Sequence, residues 1–165
     1  MASPRRFWLF KSEPGVFSFE DLLRARGKRT GWDGVRNYQA RNLLRDDIAV
    51  GDGVLYYHSG GKAPSIVGLA KVTRAGHPDP TQFEEGSKGY DAGSDPKDPR
   101  WVQVTIQGVQ ALSKPLSLGD LKQERGLAGM ALVQRGQRLS VQPVSVKEWR
   151  RVLQLGGVAD DPTGP

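Results

Sequence analysis

The chain has 165 residues, a formal net charge of +6, 37% hydrophobic residues and 25% charged residues. That length suits one domain with a real core, and 21 glycines with 11 prolines favour many turns and short strands over a helical bundle. The absence of cysteine excludes disulfides and thiolate metal sites, and only two histidines, His58 and His77, argue against an imidazole zinc site.

No cofactor is therefore expected. Residues from Val158 onward hold Asp160 and Asp161 and no base, so the positive charge lies in the body of the chain. An excess of this kind attracts polyanions without specifying which. No apolar run reaches membrane-spanning length, and the Met1–Arg6 stretch lacks the apolar region of a secretory signal. A cytoplasmic, monomeric protein is the expectation.

Residues 6–10, an aromatic and apolar run, predict a buried strand. It ends at Lys11-Ser12-Glu13-Pro14, which places three polar groups at a rim. Ser18 with Asp21 predicts a helix start by the capping pattern, with Leu22 and Leu23 on its buried side. Arg24, Arg26, Lys28 and Arg29 then form a basic patch.

The next stretch, Gly31-Trp32-Asp33-Gly34-Val35-Arg36-Asn37-Tyr38, carries the functional reading. A tryptophan in a glycine-flanked loop has little local packing, so it is expected to present a flat face to a planar guest such as a nucleobase. Asn37 is expected to cap a helix over residues 37–44, with Arg41 and Arg45 on one face. Residues 54–58 and 66–72 predict a hairpin. Its tip, Ser59-Gly60-Gly61-Lys62, is not a P-loop, because Tyr56 and Ala63 occupy the glycine and Ser/Thr positions. Residues 76–99 form a long polar loop with two aromatics, Phe83 and Tyr90, of which Phe83 is expected to anchor it. Residues 101–106 and 139–144 predict strands. Ser117 and Ser145 predict helix starts, and Val146, Trp149, Val152 and Leu153 form a buried stripe. One domain over residues 1–157 and a flexible tail over 158–165 complete the expected organisation.

Several stretches together resemble the EVE domain family: Phe7 to Pro14, Trp32 to Asn42, Tyr57-His58-Ser59, Ile66 to Ala70, Pro78 to Thr81 and Arg138 to Val144. The resemblance spans roughly residues 6–155. It implies an α+β, PUA-like fold, a strongly curved mixed β-barrel with peripheral helices, related to YTH and ASCH domains. It also implies a pocket for a modified base, 5-methylcytosine or another methylated base, in DNA or RNA. Carried over by position, Lys11, Ser12 and Trp32 would hold the base, with Asn37 a looser counterpart and Tyr57 or Tyr90 supplying further cage aromatics. A basic targeting extension is not expected ahead of the first strand.

The residues themselves add Asp33 as an acceptor for an exocyclic amine and His58 at the rim. Arg36, Arg41 and Lys62 are expected to hold flanking phosphates. An enzyme using Glu13 or Asp33 with His58 as acid and base is the alternative, and a protein-interaction module is a third reading.

Overall fold

The aromatic run near the N-terminus forms β1 (Phe7–Ser12), an inner strand of the sheet. It lies parallel to β3 (Gly53–His58) and antiparallel to β6 (Val141–Val144). From β3 the chain turns back into β4 (Ser65–Pro78), which pairs with β5 (Val102–Ser117); β2 (Arg29–Gly31) lies on the far edge of β5. The computed structural model describes residues 4–164; Met1 to Ser3 and the tail residue Pro165 lie outside the described residues.

The six strands run in the order β2-β5-β4-β3-β1-β6. The sheet is mixed, but it is not the closed barrel expected: β2 and β6 end the order and do not pair with each other. β2 escaped sequence reading because Arg29-Thr30-Gly31 has no apolar alternation and becomes a strand only by pairing with residues 105–107. β4 and β5 extend well beyond their apolar segments, with several bulges where their registers slip.

Short helices cover the sheet: α1 (Pro14–Phe17), α2 (Phe19–Arg24), α3 (Tyr38–Asn42), α4 (Leu118–Lys122) and α5 (Val146–Leu155). The serine starts are as expected. Ser18 Oγ accepts the Asp21 N–H at 3.0 Å while the Asp21 carboxylate accepts the Ser18 N–H at 2.9 Å, and Ser145 and Glu148 repeat the reciprocal cap. Such caps are worth about 1 kcal/mol each. The helix expected over 37–44 stops earlier, and a wider turn at Leu43–Asp47 follows it.

Alternation divides the core between the two sheet faces. Phe7, Leu9, Leu55 and Tyr57 join Trp149, Val152 and Leu153 on one side. Trp8, Phe10, Val54 and Tyr56 join Phe19, Leu22 and Trp32 on the other. No helix among the described residues is long and apolar enough to cross a membrane.

The tail is tied down rather than loose. Asp161 accepts the Trp149 indole N–H at 2.9 Å and two bonds from Thr163, and Arg5 bonds to both Asp161 and Thr163. Val158 and Thr163 are buried. A tail of small and acidic residues gives no apolar signal, and its docking depends on partners more than 150 positions away in sequence. Asp161→Ala strands the indole N–H and is expected to cost about 1–3 kcal/mol. The urea midpoint should fall with unchanged slope; an unchanged midpoint would show the tail undocked in solution.

Candidate base-binding site

β1 and β3 end side by side, with Lys11 level with Tyr57 and Ser12 level with His58. Parallel pairing places partners on the same face, so these four residues divide into two pairs. Ser12 and His58 share the face of Phe10, Tyr56 and Trp32, whereas Lys11 and Tyr57 point to the other. The Lys11 ammonium lies 5.9 Å from the Tyr57 ring centre, and burial lowers the lysine pKa and raises that of the tyrosine. Lys11 and Tyr57 are therefore not brought together with Trp32, contrary to expectation.

The Trp32 indole does not offer a free face. It is 7% exposed, with the Phe10 ring centre at 5.2 Å and Tyr56 meeting it edge-on at 5.4 Å and 88°. Val35 and Ala40 belong to the same buried cluster. Long-range packing, invisible to local sequence, covers the ring and leaves only a sliver at the surface.

Beyond Trp32 the backbone is fixed by one carboxylate. Asp79 is buried, and its Oδ2 accepts the Gly34 N–H at 2.8 Å and Arg36 Nη1 at 2.9 Å. Its Oδ1 accepts the Thr81 N–H and hydroxyl at 2.8 and 2.6 Å. Gly34 sits at φ +80°, a left-handed turn that aims its N–H at Asp79 and that a side chain would strain. Burial opposes ionisation of Asp79, but hydrogen bonds from Thr81, Gly34 and Arg36 outweigh it and hold the carboxyl below its ordinary range.

Arg36 completes the clamp. Its five N–H groups go to Asp79, Thr81, the Val35 carbonyl and twice to the Gly89 carbonyl. None is left for a phosphate, which corrects the expectation for Arg36. Arg41 is only partly engaged: two of its N–H groups go to Asn42 and the Arg100 carbonyl, and its guanidinium lies 4.9 Å from the Tyr38 ring centre. Asn37 spends its side-chain oxygen capping α3 through the Ala40 N–H at 3.0 Å, as its cap reading anticipated. Lys62 is exposed in the β3–β4 turn, whose Ser59 N–H bonds the Ser12 carbonyl at the rim.

The long loop expected over 76–99 is ordered by polar anchors. Gln82, fully buried, bonds Asp79 and Trp101 carbonyls, the Ser94 hydroxyl and the Trp101 N–H. Asp91 accepts the Trp101 indole N–H at 2.7 Å. Phe83, expected as the anchor, is instead 37% exposed. Tyr90 is 41% exposed, next to the Gly89 carbonyl that Arg36 grips. Asp79-Pro80-Thr81 does carry a helix-start signal, an Asx cap with proline at the first position. That signal could have marked Asp79 as structural. Tyr38, 53% exposed and stacked on Trp101 at 5.0 Å, had no sequence signal as a site residue.

What the face at the strand ends offers is polar: Ser12, Asp33 and His58. Asp33 is exposed as a residue, yet partial desolvation and then the nearby Asp79 charge raise its carboxyl pKa. His58 Nε2 accepts the Phe19 N–H at 3.0 Å, so that imidazole is held neutral at Nε2 and unprotonated there. Burial lowers its pKa against the opposing pull of Glu20 and Asp21. That nitrogen cannot simultaneously activate a nucleophile. A separate cavity of about 670 Å³, lined by Phe7, Trp149, Arg150 and Leu153, contains none of these residues.

The directions of the Asp79 and His58 shifts set the pH dependence expected of the fold. The stability that Asp79 contributes is present above its unfolded value of about 3.9 and is lost as pH falls through its depressed folded value. Asp79→Asn is expected to cost about 3–5 kcal/mol at neutral pH by leaving Arg36 uncompensated, and to flatten the acid limb of a stability-versus-pH curve. A variant as stable as the parent would remove the clamp. For His58, stability is complete above about 6.5 and declines below it as the unfolded chain takes the proton first. The Phe19 amide should lose hydrogen-exchange protection over that range; constant protection would count against the bond.

The EVE domain model matches residues 6–155. Mouse thymocyte nuclear protein 1 is 42% identical over 167 residues, covering 90% of this chain and 73% of the relative. A crystallographically determined protein from Pseudomonas putida is 45% identical with a TM-score of 0.85, covering 91% of this chain and 99% of its own. The human THYN1 protein in complex with 5-methylcytosine containing DNA is 40% identical with a TM-score of 0.86, covering 95% of this chain and 99% of its own. With the match running from the first strand to the last helix, the chain belongs to the EVE domain family.

Proposed function

We propose that this chain binds nucleic acid carrying a modified base of the 5-methylcytosine type and catalyses no reaction on it. The observation that carries the reading is the human relative at 40% identity, solved with 5-methylcytosine containing DNA. The base would lie at the ends of β1 and β3, between Ser12, His58 and the exposed edge of the Trp32–Asp33 turn. An intracellular location belongs to the same reading, since the ligand is found there.

Magnitudes decide which groups matter. A fully stacked base gains about 1–3 kcal/mol, but an indole 7% exposed can supply only part of that. Extracting a base from a duplex costs a few kcal/mol. The polar edge and the phosphates must then supply most of the affinity. Asp33 accepting from the exocyclic amine of cytosine is the strongest available contact, because a charged acceptor is worth about 1.5–3 kcal/mol. Burying one methyl adds about 0.8 kcal/mol, roughly a fourfold preference. Larger discrimination would require shape exclusion.

Titrating short DNAs, single- and double-stranded, with cytosine or 5-methylcytosine tests the reading; equal affinity for both would sink modification reading. Asp33→Asn should weaken binding by about tenfold or more without lowering the melting temperature, since desolvation and the Asp79 charge make the ionised group unfavourable in the fold. Because its carboxyl pKa is raised, binding should fade with acid at a higher pH than an ordinary aspartate would give. Trp32→Ala is the poorer probe: its expected loss of about 3–5 kcal/mol of stability reports on the core first.

A further inference from the structure

Arg36 spends all five N–H groups inside the protein and Arg41 two of its five, so a bound nucleic acid needs further cations for its phosphates; this inference rests on that proposed function. Register identifies the surface. Arg29 is paired with Gln107, and Gln107 with Lys71; Gly31 is paired with Thr105, and Thr105 with Arg74. Val104, Ile106 and Val72 turn into the core, so Gln103, Thr105, Gln107 and Lys71 stand on the opposite side of these strands. Arg29 and Arg74 are exposed, Lys71 and His77 partly so.

This side holds cations and neutral polar groups. No carboxylate lies among the paired residues of its rows. Two of the neutral members already have partners: Gln107 donates to the Gly27 carbonyl in the turn before β2, and Gln103 meets His77 at 3.0 Å. The cations are not. Ion pairs among the described residues engage Arg5, Arg6, Arg36, Arg45, Arg100 and Arg151, and none involves Arg29, Lys71, Arg74, Arg26 or Lys28. Arg26 and Lys28 are exposed in the turn that enters β2.

We infer that the outer side of β2, β5 and β4, with the Arg26–Lys28 turn, carries the sugar–phosphate backbone of the bound strand. Neighbouring strands lie about 4.8 Å apart, so Arg29 and Lys71 flank Gln107 within about one Debye length at ordinary salt, roughly 10 Å. They act on a polyanion together. The surface also adjoins the base site. Gly31 leads directly into Trp32, and it lies so flat against Gln103 that a Cβ there would fall 2.6 Å from the Gln103 amide nitrogen. A strand could thus pass around the β2 edge with one base turned in beside Trp32.

The test is a salt titration with a short single-stranded DNA holding one 5-methylcytosine, between about 50 and 200 mM salt. A variant with Arg29→Gln, Lys71→Gln and Arg74→Gln should lower the magnitude of the log K against log salt slope by about 2, at roughly 0.7 per neutralised contact on a single strand. Its ratio of affinities for methylated and plain DNA should not move. A variant with Lys114→Gln, Lys122→Gln and Lys147→Gln, in other exposed parts of the surface, should keep the parental slope. The inference is overturned if the first variant keeps the parental slope and affinity, or if both variants lose slope equally. Parental protein that binds no DNA overturns the base-reading function as well, which distinguishes the two failures.

Discussion

The Asp79 carboxylate is the interaction on which the rest of this surface depends. It lies buried where burial opposes its charge, and it stays ionised because donors from two segments converge on it: Gly34 and Arg36 from one, Thr81 from the other. A buried charge is tolerable only when its donors are fixed, and fixing them orders both segments at once. The turn after Trp32 and the loop before β5 become one unit. Gln82 and Asp91 extend it by holding Trp101, on which Tyr38 stacks.

That clamp has a consequence for charge. An arginine that saturates all five donors inside the protein no longer presents a phosphate grip, however well placed its position in the sequence. The outer side of the β2 edge differs in this respect: Arg29, Lys71 and Arg74 stand in rows whose paired residues include no carboxylate, and none of the three is in an ion pair among the described residues. Two roles that look alike in sequence, structural cation and ligand cation, are separated by hydrogen-bond accounting.

The sheet makes a comparable separation at the ends of β1 and β3. Four candidate residues adjacent in sequence or register fall on two faces, because side chains alternate along each strand. Ser12 and His58 stay with Trp32; Lys11 and Tyr57 do not. The face that keeps Trp32 is rimmed by polar groups and backed by Phe10 and Tyr56, so only the edge of the indole reaches the surface.

The sequence by itself determined the family, the inner strands and the helix starts. The continuous aromatic and apolar run of residues 7–10, the alternation of residues 101–106, and serine with an acid three positions on are local signals whose physics acts over a few residues. Motif resemblance also grouped Lys11, Ser12 and Trp32, with Asp33 added from its own chemistry, and strand alternation then separated Lys11 from the others. Only tertiary structure decided that the Trp32 ring is covered, that Arg36 is consumed by Asp79, that Arg29 to Gly31 form a strand, and that the tail docks on Trp149. Each of these depends on partners at least a dozen positions away in the chain, and burial and hydrogen-bond satisfaction are properties of that assembled neighbourhood rather than of any stretch of sequence.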